Sequence, residues 1–217
     1  MIRRPPRSTH FPYTTLFRSD FLITNSTSFA PDDDVSLELE VKNVETLIVK
    51  IFELNTLNYY RDQVREVNTD VNLDGLVPNF ERTLKYREPP QRKVLRKFAF
   101  PELKGRGAWV IDFIGNGKSS RVLVRKGKLR HLVRTGPAGH IFTILDESGT
   151  RIPDASIWLG GQQYSAQKNG TIQVPFSTSP GSQSLILIHD GFASFDRFSH
   201  ESANYSFAPG HLVDRES

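Results

Sequence analysis

The sequence predicts an all-β fold: two consecutive antiparallel β-sandwiches, with a short helix or irregular loop near residues 57–67. Three observations carry that expectation. Apolar and polar residues alternate over short runs, the period of a strand with two different faces. Turn residues recur at intervals of about 8–12 positions, as they do between sandwich strands. The 217 residues, 37% hydrophobic with fifteen Phe, suit a packed core and give room for one large domain or two of ordinary size.

The first strands are read from Val35 onward. Val35, Leu37, Leu39 and Val41 alternate with Ser36, Glu38 and Glu40, a half-buried strand. Leu47-Ile48-Val49-Lys50-Ile51-Phe52 is rich in β-branched residues and suits a central strand. Leu57, Tyr60, Val64 and Val67 then fall at steps of three and four, one apolar face over about three helical turns. Short strands are expected at 83–87, before Pro89-Pro90, and around Val94, Phe98 and Phe100. Trp109, Ile111 and Phe113 alternate in a further strand. Asn116-Gly117 turns the chain, and Arg121-Val122-Leu123-Val124 returns beside it.

Lys126-Gly127-Lys128 marks the expected boundary, with one domain over 34–127 and a second over 128–208. The second is densest in turn signals between Gly139 and Phe176. Ile141, Thr143 and Leu145 alternate, and Asp146-Glu147-Ser148-Gly149 breaks the run. Ile157 and Leu159 resume it, and Gly160-Gly161 accepts the positive φ of a tight hairpin. Asn169-Gly170, like Asn116-Gly117, is the strongest short-range hairpin signal a sequence offers, and it leads into Ile172, Val174 and Phe176. Leu185-Ile186-Leu187-Ile188 is a continuous apolar strand, expected to be covered on both faces. Tyr205 and Phe207 resume an alternating run, and 209–217 reads as a truncated tail.

The pI of about 9.4 is a property of the leader. Residues 1–19 hold Arg3, Arg4, Arg7 and Arg18 and no acid; 28 basic residues less these four leaves 24, matching the 24 acidic ones. A net-neutral body has no charge excess with which to hold phosphates, so no nucleic-acid partner is expected. Residues 1–19 resemble the translated read-through of a sequencing-library adapter, and both ends of the chain read as cut. With zero cysteines there is no disulfide, thiol catalysis or zinc–thiolate site. No run reaches the length of a membrane-spanning helix.

The sharpest chemical motif is Asp70-Val71-Asn72-Leu73-Asp74-Gly75 with Glu81, which fits the spacing of a calcium loop. Its oxygens would come from Asp70, Asn72, Asp74 and Glu81, although Pro78 stands at the ninth position, where a ligand or water-bridging residue is usual. The bland reading places Val71 and Leu73 in a core and Asp74-Gly75 in a turn. Gly115-Asn116-Gly117-Lys118-Ser119 lacks the first glycine of a phosphate loop, Asp112 standing there instead, and reads as a hairpin turn. His189 and Asp190 are adjacent, so a continuing strand would point them apart. Trp109, Trp158 and Tyr164 are candidates for a sugar-stacking platform, against the commoner reading as core. Sequons stand at Asn25, Asn169 and Asn204.

Two stretches carry a family resemblance. Gly105-Arg106-Gly107-Ala108-Trp109-Val110-Ile111-Asp112-Phe113, returning through Arg121-Val122-Leu123-Val124, resembles the closing hairpin of a macroglobulin domain. Pro153-Asp154-Ala155-Ser156-Ile157-Trp158-Leu159 with Lys168-Asn169-Gly170-Thr171-Ile172 resembles the next module of alpha-2-macroglobulin-like proteins. The resemblance implies fibronectin-like sandwiches stacked in a larger extracellular or cell-envelope protein. It does not carry over the family's thioester, which needs a cysteine.

These readings converge on non-catalytic, structural or protein-interaction modules, a fragment of a larger macroglobulin-like protein. The expected partners are neighbouring domains of the parent or other proteins, with no small-molecule ligand and no cofactor. No catalytic residue is assigned. Two alternatives stand beside this one: a calcium-dependent adhesion module using Asp70, Asn72, Asp74 and Glu81, and an accessory carbohydrate-binding domain of an enzyme.

Overall fold

The computed structural model describes residues 18–21, 25–87 and 92–203. Readings that fall on Pro89-Pro90, Asn204, Tyr205, Phe207 and the tail, and most of those on the leader, lie outside the described residues. The chain divides into two compact units. One comprises Met1–Glu53 and Asn72–Arg125, the other Leu54–Val71 and Lys126–Ser217.

The first unit is built from β1 (Arg18–Phe21), β2 (Ser28–Phe29), β3 (Ser36–Lys42), β4 (Thr46–Leu54), β5 (Phe80–Lys85), β6 (Lys93–Ala99), β7 (Gly107–Gly115) and β8 (Lys118–Lys126). They form a three-stranded sheet, β1-β3-β6, and a five-stranded sheet, β2-β8-β7-β4-β5. Alternation decides which side chains go inward. Leu37, Leu39 and Val41 of β3 are buried while Ser36, Glu38 and Glu40 between them are not. From the other sheet Leu47, Val49, Ile51, Trp109, Ile111 and Phe113 enter the same core. Phe113 meets Phe98 and Phe100 edge-on, with ring centroids 5.2 and 6.4 Å away, a preferred aromatic geometry. Between β7 and β8, Asn116 and Gly117 take φ of 50° and 73°, the two left-handed residues that a two-residue hairpin requires.

In the second unit β9 (Arg130–Gly136), β10 (Gly139–Leu145), β11 (Arg151–Ile152) and β14 (Ile172–Val174) make one sheet. In it β10 pairs with β9 along one edge and with β11 and β14 along the other. The second sheet has the order β13-β12-β15-β16, from β12 (Ser156–Leu159), β13 (Gln162–Ser165), β15 (Gly181–His189) and β16 (Phe192–His200). Phe142, Ile144, Ile157, Leu159, Leu185, Leu187 and Phe198 share its core. Each such burial is worth roughly 1.5–3 kcal/mol relative to exposure.

Asn169-Gly170 behaves differently from its sequence signal. The strands on either side of it, β13 and β14, belong to different sheets, so the turn crosses the sandwich and closes no hairpin. Gly170 still needs its φ of +70°. The bonds that hold the turn are local: Gly170 N–H to the Gln167 carbonyl at 2.7 Å, and Thr171 N–H to Asn169 Oδ1 at 3.0 Å. Strand β9 was not anticipated, because Arg130 to Gly136 carries only two apolar side chains.

The helical spacing at 57–67 yields α1 (Thr56–Gln63), about two turns and not three. Asn55 caps it by accepting the Asn58 N–H at 3.0 Å. It stops at Val64, which adopts the left-handed region with φ 52° and is exposed. Tyr60 and Val67 are nevertheless buried. Although it lies in sequence between β4 and β5, α1 packs on β15 and β16. Tyr60 stacks against Phe195 with centroids 5.5 Å apart. This explains the apolar run at 185–188. Leu185 and Leu187 face the sandwich core, whereas Ile186 and Ile188 lie on the face that carries α1, and all four are buried.

Candidate functional site

Three of the four calcium-loop side chains, Asp70, Asn72 and Glu81, have local partners. The Asp70 carboxylate takes both guanidinium nitrogens of Arg65 at 3.1 Å, a bidentate pair. Asn72 Oδ1 accepts the Asp74 N–H at 2.9 Å, an Asx turn. Glu81 lies on β5 opposite Lys50, with 3.7 Å between their charges. Asp70 belongs to the second unit, and Asn72, Asp74 and Glu81 to the first. Helix α1 ends seven residues before Asp70, and the segment after the loop is a strand and not a helix.

Among the described residues, one set of three His, Asp and Glu donors converges: Asp154, His189 and Asp190. His189 Nε2 stands 3.3 Å from Asp154 Oδ1 and 3.5 Å from Asp190 Oδ2. The expectation that His189 and Asp190 point apart is corrected here. Asp190 leaves the strand with φ 48° at the β15–β16 hairpin, which swings its carboxylate back towards the ring. Both carboxylates are mostly exposed, and the arrangement is that of a surface polar contact closing a turn.

The aromatic platform is also corrected. The β12–β13 register pairs Ile157 with Tyr164 and Trp158 with Gln163. Tyr164 therefore shares the core-facing side with fully buried Ile157, while Trp158 is on the opposite face. Trp109 is a core residue of the first unit. Two of the sequon asparagines have structural tasks. Asn25 exchanges two hydrogen bonds with the backbone of Glu38, at 2.6 and 2.8 Å, and Asn169 caps its own turn. The 115–119 segment is the β7–β8 turn. Asp112, buried on β7, accepts the Ser119 hydroxyl and lies 3.4 Å from Arg121 Nε.

Two histidines of the second unit are held below their ordinary pKa. His140 is 2% exposed, and burial, reinforced by the neighbouring His200, disfavours its charged form. Its ring lies 5.4 Å from that of His200 and 5.0 Å from Phe198. His131 is shifted in the same direction by burial, against a weaker opposing pull from Asp196.

The class these features define is an all-β protein of antiparallel sandwiches, with several of the sequence-predicted polar side chains taken up in turns and local contacts. Comparison with known proteins sharpens this. A family model described as the AbpF first immunoglobulin-like domain matches residues 47–127. Actin-binding protein F of Dictyostelium discoideum is 42% identical over 205 residues, covering 91% of this chain. The chain spans 9% of the length of that relative. Among solved structures, Escherichia coli alpha-2-macroglobulin domains MG0-NIE-MG1 align over 78% of this chain and 61% of theirs, at 14% identity and a TM-score of 0.48. A chimeric titin Z1Z2 tandem aligns over 86% of this chain and all of its own, at 12% identity and a TM-score of 0.39.

These findings overturn one expectation. The relative that aligns along nearly the whole chain is named for binding actin, which points away from an extracellular or cell-envelope location. That location rested on the macroglobulin resemblance alone. No helix among the described residues is long and apolar enough to cross a membrane.

Proposed function

We propose that this chain is a non-catalytic pair of protein-interaction modules within a longer actin-binding protein, and that it contributes contacts to the actin filament. The observation that carries this reading is the 42% identity to actin-binding protein F along 91% of the chain. The match to an immunoglobulin-like domain model over 47–127 supports the same view, since sandwiches of this kind serve as rigid carriers of binding loops and faces. The parent is accordingly read as an actin-binding protein and not a macroglobulin-like one.

The test is sedimentation of the chain with filamentous actin. The four basic side chains of the leader, Arg3, Arg4, Arg7 and Arg18, are changed to Ser so that their charge does not simulate binding. The expected result is saturable co-pelleting near physiological salt. A chain that stays in the supernatant at every filament concentration, while remaining folded by circular dichroism, removes the reading.

A further inference from the structure

The strands of the sheet formed by β9, β10, β11 and β14 contain three arginines and no acidic residue, whereas each of the other three sheets holds at least one acid. The strand register decides where those arginines lie. Phe142 and Ile144, buried in the sandwich core, stand opposite Val133 and His131. Cross-strand partners share a face, so the alternate residues Arg130, Leu132 and Arg134 project from the outer face. Opposite them are Leu145, Thr143 and Ile141, and Arg151 extends the first of these rows on the far side of Leu145.

Along β9 the three outward side chains follow at steps of about 7 Å. Arg130 and Arg134 are exposed and make no ion pair with another described residue. Leu132 between them is 62% exposed. The nearest acids in sequence lie in the turn after β10 and are already engaged: Asp146 Oδ1 accepts the N–H groups of Ser148 and Thr150, and Glu147 accepts the N–H of Lys128. The strand is also rigidly placed. Leu129, which leads into it, is buried, and its N–H donates to the buried Ser194 hydroxyl at 2.9 Å.

We infer that this outer face is where the chain meets the filament, with Arg130 and Arg134 taking carboxylates of an acidic patch and Leu132 making the apolar contact between them. The inference rests on the actin-binding reading and names the surface within it. Arginine suits the role because its guanidinium is weakly hydrated and pairs bidentately with carboxylates. The competing explanation is that the arginines only shield an exposed sheet edge from pairing with other strands. Glutamates would shield equally well, so charge reversal separates the two.

The experiment compares, in the leader-neutralised chain, Arg130→Glu with Arg134→Glu, the milder Arg130→Ser with Arg134→Ser, and a matched control, Lys85→Glu with Lys104→Glu, on exposed residues of the first unit. Circular dichroism verifies the fold of each. The expected result is a loss of filament affinity of at least about tenfold for the β9 reversal and a smaller loss for the serine pair. The control should change affinity by less than about twofold. If the parent chain pellets and the β9 reversal pellets equally well, this surface is wrong while the actin-binding reading stands. Equal losses from the β9 and control reversals overturn it too, since binding would then follow net charge alone. Should the glutamate pair not fold, the serine pair decides by the same comparison. A parent that does not pellet removes both readings together.

Discussion

The hydroxyl oxygen of Thr56 accepts a hydrogen bond from the backbone N–H of Ala193 at 3.1 Å, and both residues are buried. This bond ties the first residue of α1 to the start of β16, across 137 positions of sequence. With the Tyr60–Phe195 contact it holds segment 54–71 on the second unit. Replacing Tyr60 by Ala removes a large buried ring and the bond from its hydroxyl to Glu66. The expected cost is about 3 kcal/mol by analogy with other buried aromatic truncations, read from urea unfolding. A loss below about 1 kcal/mol would show that α1 does not contribute to the fold of that unit.

A second expectation concerns Thr56 alone. Thr56→Val keeps the shape and deletes the acceptor, leaving the Ala193 N–H buried without a partner. The penalty for such a group is about 1–3 kcal/mol. Thr56→Ser, which retains the acceptor, should recover most of it. Equal melting temperatures for the Val and Ser variants would show that the bond is not made.

Gly139 is the position least able to accept a side chain. Its φ is +131°, and a Cβ there would stand 2.0 Å from the Val174 carbonyl oxygen. Gly139→Ala must therefore push β14 away from β10, with an expected loss above about 2 kcal/mol. Gly149 is the matched comparison: its φ is +87° but its Cβ would meet nothing within 4 Å. Gly149→Ala should cost only about 1 kcal/mol, the strain of the backbone alone. The difference between the two melting shifts isolates the steric part.

Acid should weaken the second unit in a defined direction. His131 and His140 both have a lowered pKa in the folded chain, against about 6.5 when unfolded. Between the folded and unfolded values the unfolded chain binds more protons, so stability rises with pH there. It is fully present above about pH 7.5, falls as pH drops through the unfolded value, and levels off below the folded one. His140 faces His200, Phe198, Phe176 and Glu201; His131 faces Asp196 and Phe142. The His140→Phe variant should show a shallower fall in melting temperature between about pH 7.5 and 5.5. An unchanged slope would refute this assignment.

Calcium is expected to leave the melting temperature unchanged. Asp70 is paired with Arg65, Asn72 Oδ1 closes a turn, and Glu81 sits beside Lys50 on a strand. Binding would have to break these contacts and bend the loop around the ion. A calcium-dependent rise in melting temperature that Asp74→Asn abolishes would reinstate the loop as a cation site.

Much of the fold was legible because its signals are local. Alternation at 35–41 assigned the buried side of β3, and Asn116-Gly117 and Gly160-Gly161 announced turns whose left-handed φ values the structure contains. The apolar run at 185–188 announced burial on both faces. Where the signal was local but its meaning depended on distant strands, the reading went astray. Asn169-Gly170 is a turn, but only the pairing of β13 with β12 and of β14 with β10 makes it a crossing between sheets. The separation of Trp158 from Tyr164 likewise follows from register.

Composition and spacing alone determined that this is an all-β chain, that its basic excess resides in the leader, and where the principal apolar strands and tight turns fall. These are properties of neighbouring residues and of backbone sterics, which act over a few positions. Only the tertiary structure decided that residues 54–71 cover Ile186 and Ile188, that Asp190 turns back to His189, and that Arg130, Leu132 and Arg134 share an outer face. Those outcomes are set by which strand hydrogen-bonds to which and in what register, because a one-residue change of register carries every side chain to the opposite face.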